Sequence, residues 1–370
     1  MLMSCKNRNF IICQHFYFLS NKVYNRISYF YFIRFLIQSV IRKQPLFKIT
    51  MLKTISSSII LVIVAYFASF YYNRDSTSAS TSSKELKAET VVFGFLPDYR
   101  LDAAAYSFII PRVTHLCLFG SEGNAKTGEL IERIPSQEKL KLIRDLCKRH
   151  NTKLLVAFGG AGRSQFFSDL ADNKQKLRDF TENLANFVKR ESLDGIELNW
   201  MYPSRGIDLQ ALKYIVHRLR ETKPDLIITM AIPPQYQMAK VISDFDFDLF
   251  HVMVYQATVA GPNAIEQSEE IMKSLLPYIA ADKLTLGIPF YSVQGQESFS
   301  FEDIITKKLP VQYETAEVLK KKKERAEQLG LKGISIWELG QDCRVEKVGI
   351  HKKTCPNGPN DSLLSAVGRK

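Results

Sequence analysis

The sequence predicts an α/β fold, a (β/α)8 TIM barrel without a large insertion domain, preceded by a transmembrane segment and a stalk. Two observations carry the barrel. Eight short β-branched or apolar runs follow one another after residue 90, the number a closed barrel needs, and amphipathic helical patterns lie between several of them. Alternation of this kind favours parallel strands joined by crossover helices. Length and composition agree, since 370 residues, 46% apolar and 24% charged, suffice for one barrel and an appendage.

The runs are Val91–Leu96, Val113–Phe119, Lys153–Phe158, Leu193–Trp200, Leu226–Ile232, Leu249–Tyr255, Leu284–Phe290 and Gly333–Trp337. Between them, Leu177, Phe180, Leu184 and Phe187 recur three or four apart, as do Leu209, Leu212, Ile215, Val216 and Leu219. That spacing puts each set on one helical face.

The region before the barrel differs in composition. Residues 1–54 hold nine Lys or Arg and no acid, whereas the remainder carries 41 basic against 38 acidic residues, so little of the formal +12 belongs to the folded part. A nucleic-acid surface is therefore not expected. Residues 55–72 (ISSSIILVIVAYFASFYY) form an uncharged run of 18, close to the shortest that crosses a bilayer. Arg42, Lys43, Lys48 and Lys53 precede it, which predicts a cytosolic N-terminus and an extracytosolic barrel. No convincing small-residue cleavage site closes the run, so it reads as the signal-anchor of a single-pass type II membrane protein, secreted if the segment is cleaved. Met51 opens a conventional targeting sequence by itself, so residues 1–54 are either a cytosolic segment or the product of a mis-assigned start. Residues 73–89, with the run from Ser76 to Ser83, are too polar for a core and read as a stalk. The barrel is expected over 90–343 and an irregular tail over 344–370.

Cys117, Cys147, Cys343 and Cys355 follow the membrane segment. Cys343 with Cys355 is the first pairing expected, because both lie in the tail; buried free thiols are the alternative. No cysteine pair has metal-ligand spacing, and neither a metal nor another cofactor is expected. Asn360-Asp361-Ser362 is an acceptable N-glycosylation sequence. The strings Asp244-Phe245-Asp246 and Asp246-Phe247-Asp248 invite a metal-dependent glycosyltransferase reading, but they precede the sixth run, on the face opposite a barrel's chemistry. Lys320–Lys323 are expected to form a solvated helix face. His115 and His251 are expected to be packed and hydrogen-bonded.

The most informative stretch is Leu193-Asp194-Gly195-Ile196-Glu197-Leu198-Asn199-Trp200-Met201-Tyr202-Pro203. Side chains alternate along a strand, so Glu197, Asn199 and Met201 share one face and Ile196, Leu198 and Trp200 the other. The polar row is expected to face inward, with Met201 at the C-terminal end, where a parallel barrel places its chemistry.

This stretch resembles the signature of glycoside hydrolase family 18, the chitinases and chitinase-like proteins: D-x-x-D-x-D-x-E followed by Tyr-Pro. Asp194, the glycine and the Trp-x-Tyr-Pro frame match, whereas Glu197, Asn199 and Met201 stand at the other three acidic positions. Gly94-Phe95, Gly159-Gly160 with Ala157 in place of serine, Met253-Val254-Tyr255-Gln256, Leu286-Gly287-Ile288-Pro289-Phe290-Tyr291 and Ile336-Trp337-Glu338 extend the resemblance over about residues 91–343. With only about forty residues between the last two runs, the insertion that deepens the cleft in many chitinases is not expected.

In the family the substrate's own acetamide attacks the anomeric carbon, one glutamate protonates the leaving oxygen, and a neighbouring aspartate orients the acetamide. The resemblance places Met201 and Asn199 at those two positions. A thioether has no transferable proton, so general-acid assistance worth roughly 10²- to 10⁴-fold is expected to be lost. Gln256 and Ala157 replace two further polar members. Glu197 lies about 13 Å deeper along the strand at ~3.3 Å per residue, and alternation turns Glu338 away from Trp337. The resemblance also implies sugar contacts: Trp337 as the stacking surface, Tyr255 against the acetamide, and Phe95 and Met253 lining the pocket.

The expectation is a chitinase-like barrel without a catalytic residue, not an enzyme, that binds chitin or N-acetylglucosamine oligomers. A protein-interaction scaffold with a collapsed cleft and a weakly active glycosidase using another acid are the alternatives.

Overall fold

The computed structural model describes residues 89–255 and 263–370. The basic N-terminal segment, the expected span 55–72, nearly all of the stalk, and Gln256 lie outside the described residues. Among the described residues, no helix is long and apolar enough to cross a membrane.

The strands in chain order are β1 (Val91–Pro97), β2 (His115–Gly123), β3 (Leu130–Ile131), β4 (Lys153–Gly159), β5 (Gly195–Asn199), β6 (Ile227–Ile232), β7 (Leu249–Val252), β8 (Leu284–Pro289), β9 (Tyr291–Gln294), β10 (Glu297–Ser300) and β11 (Gly333–Trp337). Eight of them, β1, β2, β4 to β8 and β11, pair in parallel, and β1 meets both β2 and β11, which closes the barrel. The eight apolar runs thus coincide with its eight strands. β3 adds antiparallel to the end of β2, and β9 with β10 forms a separate hairpin.

The helices are α1 (Tyr106–Ile109), α2 (Gln137–His150), α3 (Gln165–Ala171), α4 (Lys174–Arg190), α5 (Gly206–Thr222), α6 (Tyr236–Ile242), α7 (Ala264–Leu275), α8 (Phe301–Lys307), α9 (Ala316–Gln328) and α10 (Leu363–Val367). Local chemistry starts the longer ones. Asn173 Oδ1 accepts from the backbone of Gln175 and Lys176 at the start of α4, and Asp208 accepts from Ser204 and Arg205 at the start of α5. Each satisfies backbone donors that the first turn leaves without partners. The periodic residues Leu177, Phe180, Leu184 and Phe187 are all buried.

Strand alternation creates two apolar layers. Val92, Leu96, Leu116, Leu118, Leu154, Val156, Ile196, Leu198 and Trp200 join the large core beneath the helices. Their neighbours Val91, Phe93, Phe95, Cys117, Phe119, Leu155, Ala157 and Leu249 fill the barrel itself. The β8-to-β11 connection holds only the hairpin and two helices, so no large insertion rises beside the mouth.

Two expectations change. The C-terminal segment is not irregular throughout: Cys343 and Cys355 form a disulfide, α10 packs its buried Leu363, Leu364 and Val367 into the core, and buried Asp342 accepts from the backbone of Cys343, Leu363 and Leu364 at 2.8, 3.0 and 2.9 Å. Nor are the four lysines one solvated face. Lys322 is buried and paired with buried Glu314, and Lys323 Nζ donates to Val367 O at 2.8 Å, capping α10. Lysine stems bury readily when the ammonium finds acceptors, which a sequence run of four does not reveal. Asp246 and Asp248 of the D-x-D strings pair with Arg220 at 3.1 and 2.9 Å, a tie between α5 and the approach to β7. Cys117 and Cys147 are free and buried.

Candidate functional site

β5 delivers its polar row into the barrel as alternation requires. Asp194, just before the strand, works at the base: its Oδ2 accepts from Leu154 N at 2.9 Å, fixing β5 against β4. Glu197 and Asn199 are buried inside. Met201 lies beyond the strand's last residue, partly exposed. Its backbone is held by Ser164, whose hydroxyl accepts from Met201 N and donates to Met201 O, both at 3.2 Å. The Met201–Tyr202 peptide is cis.

Glu197 is the one carboxylate of the β5 row, and its oxygens are occupied. Asn199 Nδ2 donates to Oε1 at 3.2 Å, and the Thr229 hydroxyl donates to Oε2. His251 Nε2 stands 3.7 Å from the same Oε2, while His251 Nδ1 shares a hydrogen with Thr285 Oγ1 at 2.7 Å. Burial pushes the Glu197 carboxyl up to about 7, against the pull of its donors. Burial, with His115 nearby, drives the His251 imidazole well below its ordinary value. Both groups are thus favoured neutral, for one reason: a charge here is far from water. Asn199 Oδ1 has no hydrogen-bond partner among the described residues.

The mouth above this network is aromatic. Trp337 closes β11 and is partly exposed. Phe119 meets it edge to face at 4.7 Å, and Phe95 packs at 5.6 Å. Phe95 is only 1% exposed, so it supports the Trp337 ring from within. Gly160 makes room for this cluster, since a Cβ there would fall 2.3 Å from Phe119, and its φ of +106° suits glycine. Across the mouth, Met253 and Tyr255 are partly exposed, and Tyr255 lies 6.4 Å from Tyr291 in a T-shaped contact. Burial, followed by Tyr291 and Glu197, raises the Tyr255 phenol well above its ordinary value.

Glu338 faces elsewhere. Its Oε1 accepts from Arg100 Nε at 3.1 Å and its Oε2 from Gly340 N at 2.7 Å. Burial raises its carboxyl against the pull of Arg100.

The structure therefore brings Asn199, Met201, Met253, Tyr255 and Trp337 to the mouth end of the barrel, places Glu197 and Phe95 beneath them, and leaves Asp194 at the opposite end. Sequence reasoning missed Phe119, Tyr291 and the contacts of Arg163, whose Nη1 pairs with Asp98 Oδ2 at 2.9 Å and donates to Gly120 O at 3.0 Å. Phe119 was open to detection, because alternation along β2 puts it on the inner face with Cys117. The Arg163 bridge joins loops distant in sequence and carried no local signal. Among the described residues, no cluster of three or more His, Cys, Asp or Glu could hold a metal.

Comparison with known proteins gives the same architecture. A curated protein of Margaritifera margaritifera, provisionally named chitinase 1, is 21% identical over 197 residues, 44% of this chain and 42% of its own. The chain thus spans about two fifths of the length of that relative. A chitinase from Cycas revoluta, solved in complex with (GlcNAc)4, is similar in fold at 20% identity, with a TM-score of 0.57 over 68% of this chain and 95% of that one. So is a chitinase-like agglutinin from Robinia pseudoacacia, at 19% identity and a TM-score of 0.55 over 67% and 95%. The family model for glycosyl hydrolases family 18 matches residues 62–342, and a match over that share of the sequence, on a closed eight-stranded parallel barrel, makes this chain a member of glycosyl hydrolases family 18.

Proposed function

We propose that the chain is a non-hydrolytic binder of chitin or N-acetylglucosamine oligomers, tethered by residues 55–72 with its barrel outside the cytosol. One observation carries the reading. The aromatic mouth keeps Trp337 and Tyr255 partly exposed, while the side chains delivered there by β5 and its extension are an amide and a thioether, and the carboxylates Glu197 and Glu338 are buried and bonded elsewhere. A sugar ring can stack on an indole face without proton transfer, whereas cleavage needs an acid within hydrogen-bond reach of the leaving oxygen. That one relative in fold is an agglutinin and another holds (GlcNAc)4 supports the ligand class.

Trp337→Ala tests this reading. Loss of about 1 kcal/mol or more of affinity for chitin oligomers, roughly fivefold or more in Kd, is expected for a stacking anchor. The edge-to-face contact of Phe119 with Trp337 favours a second reading, a scaffold whose cleft has closed. In that case neither the wild type nor the variant binds sugar. Release of short oligomers by the wild-type protein would instead point to a weak glycosidase.

A further inference from the structure

The C-terminal segment carries a feature that sugar binding does not use. Asn360-Asp361-Ser362 is the one Asn-x-Ser/Thr sequence in the chain, and its ends have opposite surroundings. Asn360 is exposed, in the 3-10 turn Gly358–Asp361. Asn357 Nδ2 donates to Asp361 Oδ1 at 3.1 Å and braces that turn. Ser362 is fully buried. Its hydroxyl donates to Asp342 Oδ2 at 2.6 Å and accepts from Ser365 N at 3.2 Å, so it both docks the segment and caps α10. The Cys343–Cys355 disulfide closes the stretch just upstream. Such bonds persist in oxidising compartments, and there an exposed Asn-x-Ser is an acceptor for N-linked sugar.

We propose that Asn360 carries an N-linked glycan, attached before the C-terminal segment docks. In the transfer, Asn360 Nδ2 bonds to the anomeric carbon of a polyprenyl-diphosphate-linked oligosaccharide. The bond from that carbon to the diphosphate oxygen breaks, the diphosphate leaves with the electron pair, and the amide nitrogen loses one proton. A transferase that must engage the hydroxyl two residues on cannot reach Ser362 once Asp342 has sealed it. Attachment and docking therefore compete, and the disulfide, which brings Asp342 and Ser362 into one compact segment, favours docking. In the finished fold the glycan leaves from an exposed turn and displaces no buried contact.

The test is expression of the full chain in secretory eukaryotic cells, followed by peptide-N-glycosidase digestion and peptide mapping. One glycan is expected, with Asp found at position 360 after digestion. Asn360→Gln, a change at an exposed side chain, should lose it without lowering the amount of folded chain recovered. Cys343→Ser/Cys355→Ser should raise the occupied fraction, and a brief reductant pulse during synthesis of the wild-type chain should do the same without a substitution. A chain recovered with Asn360 bare, whether its cysteines are oxidised or reduced, overturns the proposal. Occupancy unmoved by the reductant pulse overturns the order of events.

Discussion

Glu197 sits fully buried at the centre of the barrel with its carboxyl raised from 4.5 to about 7. The folded value exceeds the unfolded one, so its contribution to stability is complete below about 4.5 and is lost as pH rises to about 7. Glu197→Gln removes that loss and keeps an oxygen for Asn199 Nδ2. Urea unfolding should find the variant roughly 2–4 kcal/mol more stable relative to wild type at pH 8 than at pH 4; a pH-independent difference would mean that folding does not raise the Glu197 carboxyl above its unfolded value. At the mouth, the proposed loss of hydrolysis is testable by restoring two carboxylates. Asn199→Asp with Met201→Glu should release short oligomers from chitin at least about 10²-fold faster than the wild-type protein, the scale of general-acid assistance. Equal rates would show that Met201 is not what limits hydrolysis. The inward row of β5 was legible because alternation is local. The approach of Glu197 to His251 was not, because β5 and β7 are separated by β6 and meet only through side chains inside the barrel, and nothing in either run signals the other.

Among the elements, α9 depends on a buried charge. Lys322 is 1% exposed and its ammonium is held by Glu314, which is 4% exposed. Burial lowers the Lys322 pKa while Glu314 opposes it. Lys322→Ala leaves Glu314 uncompensated and should cost about 3–5 kcal/mol, whereas Lys322→Met/Glu314→Leu should be close to neutral. Equal losses in the two variants would show that packing, not charge, is what matters. The C-terminal segment depends on covalent closure as well. Reducing Cys343–Cys355, 12 residues apart, should cost about 2–4 kcal/mol and loosen α10 first, which hydrogen exchange at Leu363–Val367 would register. This segment read as irregular because α10 has only five residues, too few for a periodic pattern, and because its buried partner Asp342 gives no sequence signal. The helices α4 and α5, each with two or more turns of regular apolar spacing, were legible.

At the scale of the molecule, eight runs of apolar sequence became eight strands, since a barrel filled inside and covered outside demands hydrophobic residues on both faces of each strand. Family membership was legible for the same reason, because the family's motifs lie at the ends of those strands. Residues 55–72 remain a proposed anchor, and their effect on localisation is separate from the chemistry of the mouth. That chemistry is what distinguishes a binder from a hydrolase. Isothermal titration of a chitin hexamer into the purified protein separates the two most directly. Heat that saturates at one ligand per barrel and then stops is expected of a non-hydrolytic binder, and heat that continues after saturation, with shorter oligomers in the cell, would contradict it.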